Sequence, residues 1–217
     1  IVGYLLDNCR FGRLTSEIIN QCQPYTCSKN ADIDSFFHDH TQDNYRDYRL
    51  EMMGTTHCFF TDEKDNTTQP KMVCAFSLSN SSLRTDILPQ NRRNRLNRSI
   101  PNAKRRFQYP AILIGELCVF DGFGHKTFGY NIADEMMNLI KTIAIDPDNN
   151  SSSRYLIVDA LNSPEVIEYY KRNGFEFLFA SDEEELEHLR SGHSSDVQNC
   201  RTRLMFFDLV VLNQQMH

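Results

Sequence analysis

Residues 162–178 read NSPEVIEYYKRNGFEFL, and this stretch decides how the second half of the chain folds. Ser163 is a residue type that caps helices, and Pro164 after it suits the first helical turn. Gly174 is the residue type that ends helices in a left-handed conformation. The pattern therefore predicts a short helix over 163–175.

Apolar runs around this helix predict a sheet and one long helix. Runs that are apolar on both faces are typical of buried strands, and alternating runs are typical of half-buried ones. On this basis we expect strands at 56–60, 71–79, 109–120, 154–160, 175–180 and 201–212. A helical stripe over 127–145 contains Phe128, Ile132, Met136, Leu139, Ile140 and Ile143. The order of elements predicts a mixed sheet with helices on both faces.

Two polar segments complete this outline. Residues 30–50 show helical spacing, with Asn30 or Asp32 as the cap. The acidic run at 181–200 predicts a solvated insertion of helix and loop. A length of 217 residues favours a single domain over 1–217.

The cysteines and the hydropathy point to a cytoplasmic protein. Seven cysteines are scattered without a CxxC pair, which favours reduced, buried thiols over a disulfide or zinc framework. No apolar run approaches the ~18 residues of a membrane span, so we expect no membrane contact. His38 and His40 lie two residues apart, a spacing that does not converge on one metal on a helix, so we expect surface histidines and no metal.

Positive charge is concentrated in one segment of an acidic chain. The net charge is −6, yet Arg84 to Arg106 contains eight Arg or Lys and one Asp, which makes this segment +7. Two interpretations stay open: a solvated surface, or a dock for the phosphates of a nucleotide or nucleic acid.

Three pieces of the chain resemble the GNAT superfamily of acyl-CoA-dependent N-acetyltransferases. They are the strand AILIGELCV at 111–119, the strand YLIVDALN at 155–162, and the family's closing N-x7-Y-x3-G-F pattern, which falls on Asn162, Tyr170, Gly174 and Phe175. The front segments YTCSKNADIDSFFHDHTQD and CAFSLS are similar to the branch of toxins that acetylate aminoacyl-tRNA. The resemblance implies an α+β fold with a mostly antiparallel central sheet of six to seven strands. It also implies acetyl-CoA as co-substrate and direct attack by a primary amine.

The turn after the first of these strands departs from the family. The family's Q/R-x-x-G-x-G/A loop, which holds the pyrophosphate of CoA, falls on Gly124, His125, Lys126, Thr127, Phe128 and Gly129. Gly124 replaces the Gln or Arg, and Thr127 replaces the middle glycine. Two interpretations stay open: a phosphate cradle with altered side chains, in which Thr127 offers an N–H and a hydroxyl, or a turn that no longer binds CoA.

The resemblance assigns roles to individual residues. Tyr170 is the candidate general acid that protonates the leaving thiolate. Glu116, a carboxylate inside an apolar strand, is the candidate general base, with a structural salt bridge or bulk water as alternatives. Further cofactor contacts fall on Leu117, Cys118, Val119, Tyr130 and Asn162, the last of which could instead cap the turn. Cys118 is not expected to be a nucleophile, because no His–Asp arrangement accompanies it.

The acceptor and the partners stay open at this level. The resemblance allows a small-molecule or protein amine, or the amino group of an aminoacyl-tRNA bound through Arg92, Arg93, Arg95 and Arg98. A third interpretation is a non-catalytic binding module that kept the fold. The last strand is expected to be able to pair across a homodimer.

Overall fold

The computed structural model describes residues 3–39, 42–62, 68–98, 100–101, 106–148, 152–190 and 201–213. The chain comprises two compact units, one formed by Ile1–Asn80 with Ile114–Ile143 and the other by Ser81–Leu113 with Ala144–His217. The expectation of a single domain over 1–217 stays a prediction.

Seven strands form one mixed, mostly antiparallel sheet, as the sequence predicted. The strands are β1 (Cys9–Arg13), β2 (Thr55–Thr61), β3 (Met72–Arg84), β4 (Gln108–Val119), β5 (Tyr155–Leu161), β6 (Glu176–Phe177) and β7 (Thr202–Asp208). Their order in the sheet is β1-β2-β3-β4-β5-β7-β6. The α+β class is confirmed.

Ten helices lie within the described part of the chain. They are α1 (Tyr4–Asn8), α2 (Ser16–Gln21), α3 (Ala31–Phe36), α4 (Tyr45–Leu50), α5 (Gln90–Asn97), α6 (His125–Phe128), α7 (Ile132–Ala144), α8 (Pro164–Arg172), α9 (Asp182–Arg190) and α10 (Val210–Asn213). Asn30 caps α3 as predicted, because its side chain accepts hydrogen bonds from the N–H groups of Asp32 and Ile33. None of these helices has the length and apolar character needed to cross a bilayer.

The helical pattern at 127–145 forms two helices rather than one. The single turn α6 ends at Gly129, which has a φ of 84° and donates its N–H to the carbonyl of His125. α7 follows Asn131, whose side-chain oxygen accepts the N–H of Asp134 at 3.4 Å. The prediction of one helix was wrong because a left-handed glycine breaks the helical path.

The ends of the last two strands also differ from the prediction. The strand expected at 175–180 is only the two-residue β6, and the last strand stops at Asp208, where α10 soon begins. β7 pairs with β5 along its whole length and with β6 at Met205 and Phe206. It is therefore not an edge strand, although β6 covers only two of its residues, and the expected pairing of 201–212 across a homodimer stays a prediction.

The core of the first unit packs α3 and α4 against β2, β3 and the end of β4. Its fully buried members include Phe37, Cys58 and Phe120, with Tyr25 and Ile33 packed against them. The cysteines at 22, 27, 58, 74 and 118 are buried and free, as the sequence predicted, and Cys9 is half-buried. Cys200 lies outside the described residues.

The core of the second unit is built on β5, β7 and the early part of β4. Its buried members include Tyr109, Tyr155, Leu178 and Phe206. α5 lies in the same unit, held by Arg92, whose guanidinium donates to the carbonyls of the adjacent residues 177 and 178 at 2.5 and 3.1 Å.

The acidic helix α9 is not the solvated insertion that we expected. Glu185 is 4% exposed and pairs with the equally buried Arg203 of β7. Arg203 also pairs with Asp182, and its guanidinium lies 4.1 Å from the centroid of the Phe177 ring. Removing one partner of such a buried pair typically costs about 3–5 kcal/mol, so this ion pair ties α9 to the sheet. Residues 191–200 of the predicted insertion lie outside the described residues.

A neutral histidine is built into the first unit. His57 on β2 is stacked between Phe11 and Phe76, with ring centroids 5.3 and 5.4 Å away. Its Nδ1 is buried and makes no hydrogen bond within the described part of the chain. Burial, together with the charge of Arg13 on β1, lowers the pKa of His57 from 6.5 to about 4.

We expect acid to destabilise the protein through His57. Between pH 6.5 and pH 4 the unfolded chain binds a proton at this histidine and the folded chain does not, so the free energy of unfolding falls as the pH is lowered through this range. Urea unfolding measured across the range will show a smaller pH dependence in His57→Phe, which keeps the aromatic stack. His188→Phe is the matched control, because His188 also stacks on a phenylalanine, and it should keep the wild-type dependence. An unchanged dependence in His57→Phe contradicts the assignment.

Candidate functional site

The turn between β4 and α7 is closed by its own backbone hydrogen bonds. The N–H groups of Thr127 and Phe128 both donate to the carbonyl of Gly124 at 2.9 Å, and that of Gly129 donates to His125. The N–H that Thr127 was expected to offer to a phosphate is therefore already paired. The side chains of His125, Lys126 and Thr127 are exposed. The turn thus presents two basic side chains and a hydroxyl rather than a row of free amides.

Aromatic rings hold this turn in place. Phe128 packs edge-to-face on Phe123 at 5.0 Å and on Tyr4 of α1 at 4.7 Å. Tyr130 also contacts Tyr4, at 5.1 Å, while half of its surface stays exposed. Such pairs contribute about 0.5–1.5 kcal/mol each beyond their buried area. The contribution of α1 was missed in the sequence analysis, because nothing local to Tyr4 indicates that it reaches residue 128.

Glu116 lies half-buried in the second half of β4, in the first unit. Burial, with a smaller effect from the charge of Asp32, raises the pKa of Glu116 above its ordinary value. Its backbone N–H donates to the Oγ of buried Ser77 on β3 at 2.9 Å. No ion pair of the Glu116 carboxylate is found among the described residues. A carboxyl with a raised pKa suits proton transfer near neutrality.

Leu117, Cys118 and Val119 follow Glu116 to the end of β4. Leu117 and Val119 are half-buried, whereas Cys118 is 3% exposed. The interaction with the thiol of Cys27 and then burial, in that order of effect, raise the pKa of Cys118 strongly, so its thiol stays protonated. This state agrees with the expectation that Cys118 is not a nucleophile.

Asp121 fastens the loop before α3 to the end of β4. Its carboxylate accepts hydrogen bonds from the hydroxyl of Thr26 at 2.8 Å and from the N–H and hydroxyl of Ser28 at 3.1 and 3.0 Å. Its own N–H donates to the carbonyl of Thr26 at 2.9 Å. The Thr26 hydroxyl and the Ser28 N–H, in that order of effect, lower the pKa of Asp121. The sequence analysis missed this residue and Ser77, because only the folded chain brings their partners to them.

The second unit carries the closing motif. Asn162 is exposed directly after β5, and its N–H donates to the carbonyl of Arg201 at 2.9 Å. Tyr170 is 5% exposed in the last turn of α8, with its ring 5.3 Å from Phe175. Ser163 occupies the N-cap position but makes no side-chain capping bond, contrary to expectation. Gly174, with a φ of 81°, follows the helix end as predicted.

The four arginines that were predicted to bind RNA differ in their exposure and in their contacts. Arg92 is committed to backbone carbonyls of its own unit, as described above, and its side chain is only 11% exposed. Arg93 is half-buried, and its guanidinium lies 5.8 Å from the ring centroid of Phe107. Arg95 and Arg98 are exposed. Arg92 is therefore a structural residue, and the solvent-facing charge is carried by Arg95 and Arg98.

Histidines and acidic residues form no metal centre in the described part of the chain, where no group of three or more ligand side chains comes together. His38 is half-buried rather than on the surface, because its ring stacks on Tyr25 at 4.6 Å and its Nε2 lies 3.6 Å from Asp34. His40 lies outside the described residues.

The same substitution should have different effects on the free energy of unfolding at the two glycines of the turn. Gly124 has a φ of −61°, and there is open space where a Cβ atom would lie. Gly124→Gln is therefore expected to keep the wild-type free energy of unfolding. Gly129 has equally open space but a φ of 84°, so Gly129→Gln is expected to lose about 1–2 kcal/mol of unfolding free energy. Denaturant unfolding of both variants measures this, and equal stabilities would contradict the left-handed geometry at Gly129.

Comparison with known proteins identifies the fold. No protein-family model matches the sequence, and no curated protein matches it either. The chain is similar to solved structures of AtaT complexed with acetyl-methionyl-tRNAfMet (14% identity, 96% of this chain and 99% of that chain, TM-score 0.60) and of a tyrosine-to-phenylalanine mutant of KacT (13%, 96% and 99%, 0.59). It is also similar to AtaTR bound with AcCoA (15%, 97% and 99%, 0.58). These likenesses run over nearly the whole chain, and they confirm the GNAT-like α+β fold.

Proposed function

We propose that this chain is an N-acetyltransferase that transfers the acetyl group of acetyl-CoA to a primary amine by direct attack. The observation that carries the proposal is Tyr170. It is a buried phenol at the end of α8, in the motif that ends at Gly174 and Phe175, within a GNAT-like fold. The similarity to AtaTR, which was solved with AcCoA, supports acetyl-CoA as the co-substrate.

The proposed reaction uses a general acid from the second unit and a general base from the first. In the second unit, Tyr170 donates its phenolic proton to the departing thiolate, which a neutral hydroxyl can do when it is held against the sulfur. In the first unit, Glu116 accepts a proton from the ammonium form of the acceptor, directly or through water, so that the neutral amine can attack the thioester, and the raised pKa of Glu116 favours that proton transfer. The N–H groups at the end of β4, from Leu117 to Val119, are assigned to the acyl group and the pantetheine chain.

We assign the pyrophosphate of CoA to the turn at 124–129, where side chains make most of the contacts. Because the N–H groups of 127–129 donate within the turn, the contacts fall to the exposed side chains of His125, Lys126 and Thr127. The open space around Gly124 and Gly129 lets phosphate oxygens approach the backbone closely. The Lys126 ammonium supplies positive charge, and the His125 ring and the Thr127 hydroxyl supply hydrogen-bond donors, in place of the family's Gln or Arg and free amides. Tyr130 and Asn162 complete the assigned cofactor contacts.

The acceptor that the observations favour is the amino group of an aminoacyl-tRNA. The exposed Arg95 and Arg98 on the basic segment provide positive charge for a phosphate backbone. The similarity to AtaT complexed with acetyl-methionyl-tRNAfMet supports the same acceptor class. A small-molecule or protein amine is the alternative, and it would leave these arginines without a role in binding.

Tyr170→Phe separates catalysis from binding. We expect acetyl-CoA to bind this variant as it binds the wild type in calorimetry, while acetyl transfer to an amine falls by about 100-fold or more because the general acid is lost. Tyr169→Phe is the matched control one residue away, and it should keep both properties. Absence of acetyl-CoA binding by the wild-type protein contradicts the proposal and favours the non-catalytic binding module. An undiminished turnover in Tyr170→Phe removes Tyr170 as the acid.

Salt dependence tests the RNA acceptor. Binding of aminoacyl-tRNA should weaken with salt, and each of Arg95→Gln and Arg98→Gln should reduce the slope of log K against log salt by about 0.7–0.9. Arg84→Gln is the matched control, because that guanidinium is already paired with Asp86 at 2.5 Å. Binding that does not change with salt overturns the tRNA assignment and leaves the small-molecule or protein amine.

A further inference from the structure

Phe107 is an aromatic side chain at the surface of the second unit. It lies directly before β4, and 46% of its surface is exposed, whereas Tyr109, two residues later, is buried in the core. The core therefore does not account for the position of the Phe107 ring. Single exposed apolar residues are ordinary on protein surfaces, so what distinguishes Phe107 is its backbone and its charged neighbours.

Buried residues hold the backbone at Phe107. Its carbonyl accepts the N–H of Thr85 at 2.8 Å and the hydroxyl of the same residue at 3.4 Å. The carbonyl before it, of Arg106, accepts the hydroxyl of Tyr109 at 3.3 Å, and this hydroxyl also lies 3.0 Å from Oδ1 of Asn97 on α5. Thr85 is fully buried. The ring is thus presented on a fixed backbone, which lowers the ordering cost of binding a flat ligand.

The charged neighbours of this ring are two arginines without acidic partners. Arg93 of α5 places its guanidinium over the Phe107 ring, with Cζ 5.8 Å from the ring centroid. Arg106, the residue before Phe107, is exposed. Within the described part of the chain neither guanidinium pairs with a carboxylate, and Asp86, the one acidic residue of the basic segment, is already paired with Arg84. The ring therefore lies beside positive charge that is free to meet an anion.

A ligand that covers Phe107 must also satisfy these guanidinium groups. An apolar protein surface would bury them without partners, which is costly. A nucleotide carries a flat aromatic base and an anionic phosphate in one molecule, so it matches both the ring and the charge. Aromatic side chains stack on bases that are unpaired, because the bases of a duplex are already covered by their neighbours in the stack. The chemistry of the surface therefore favours single-stranded nucleic acid.

We propose that Phe107, with Arg93 and Arg106, forms a binding site for an unpaired nucleotide of RNA. The base stacks on the part of the Phe107 ring that Arg93 leaves exposed, and the phosphates on either side of it contact the two guanidinium groups. Arg95 and Arg98, which are also exposed, contact more of the same RNA backbone. The inference rests on the proposed function, because it names the part of the acceptor RNA that the second unit binds.

Binding of single-stranded RNA tests the site directly. The probe is a fluorescently labelled oligoadenylate of about eight nucleotides, and its anisotropy is titrated with protein at several salt concentrations. We expect Phe107→Ala to weaken binding about tenfold without changing the salt dependence, since the lost ring is neutral. Phe107→Tyr keeps an aromatic ring and should keep the affinity. Val211→Ala is the matched control, because it removes an apolar side chain of the same unit that is 50% exposed, and it should bind like the wild type.

A blunt-ended RNA duplex separates stacking from charge. Because its bases are paired, Phe107→Ala and the wild type should bind it equally, whereas Arg93→Gln should weaken the binding of single strand and duplex alike. Wild-type affinity of Phe107→Ala for oligoadenylate overturns the site. Equal losses for single strand and duplex in that variant also overturn it, since they show that the ring supports the fold rather than the base.

Acetyl-CoA binding distinguishes failure of this site from failure of the proposed function. Phe107→Ala should bind acetyl-CoA like the wild type in calorimetry. A loss of that affinity assigns the ring to the adenine of the cofactor and overturns the RNA site. Stacking-dependent RNA binding by a protein that does not bind acetyl-CoA supports the site and contradicts the proposed function. Acetyl transfer by a wild-type protein that binds no RNA overturns the site and the tRNA acceptor together, and leaves the acetyltransferase intact.

Discussion

The hydrogen bonds to the carboxylate of Asp121 set the geometry of the first unit around the end of β4. One exposed side chain receives three donors from Thr26 and Ser28, and its backbone adds a fourth bond. These bonds place the loop before α3 beside the strand that carries Glu116. Charge-assisted hydrogen bonds of this kind are stronger than neutral ones, which explains how a short loop without secondary structure is held in one place.

Charged groups are buried in two different ways in the two units. In the first unit, Glu116 is half-buried beside Asp32, without an ion pair among the described residues, so its pKa rises and it is suited to exchange protons. In the second unit, Glu185 is buried against Arg203, so both charges are satisfied and the pair stabilises the contact of α9 with β7. Of these two carboxylates, Glu185 has a structural role and Glu116 is proposed to have a chemical one, and the difference lies in the partner.

The turn at 124–129 exposes different groups from those of the family's glycine-rich loop. A row of glycines leaves amides free and accessible, whereas this turn winds into one helical turn that uses three of those amides itself. The aromatic contacts of Phe128 with Tyr4 and Phe123 hold that conformation. The Lys126 ammonium and the His125 ring then become the available partners for phosphate, and we therefore propose that they hold the pyrophosphate.

The sequence by itself determined β2 to β5, β7, the closing motif and the fold class, because these depend on short-range patterns of apolar residues, prolines and glycines. It did not predict β1, and it predicted a longer strand than β6. It placed Asn162 after β5, Tyr170 on α8 and Gly174 at the helix end, and it indicated Glu116 as a carboxylate in an apolar strand. Only the tertiary structure decided that Arg92 is structural and that Glu185 is buried. The same holds for the contact of Asp121 with residue 26. Each of these depends on a partner that only folding brings into contact, and local sequence patterns carry no information about which partner that will be.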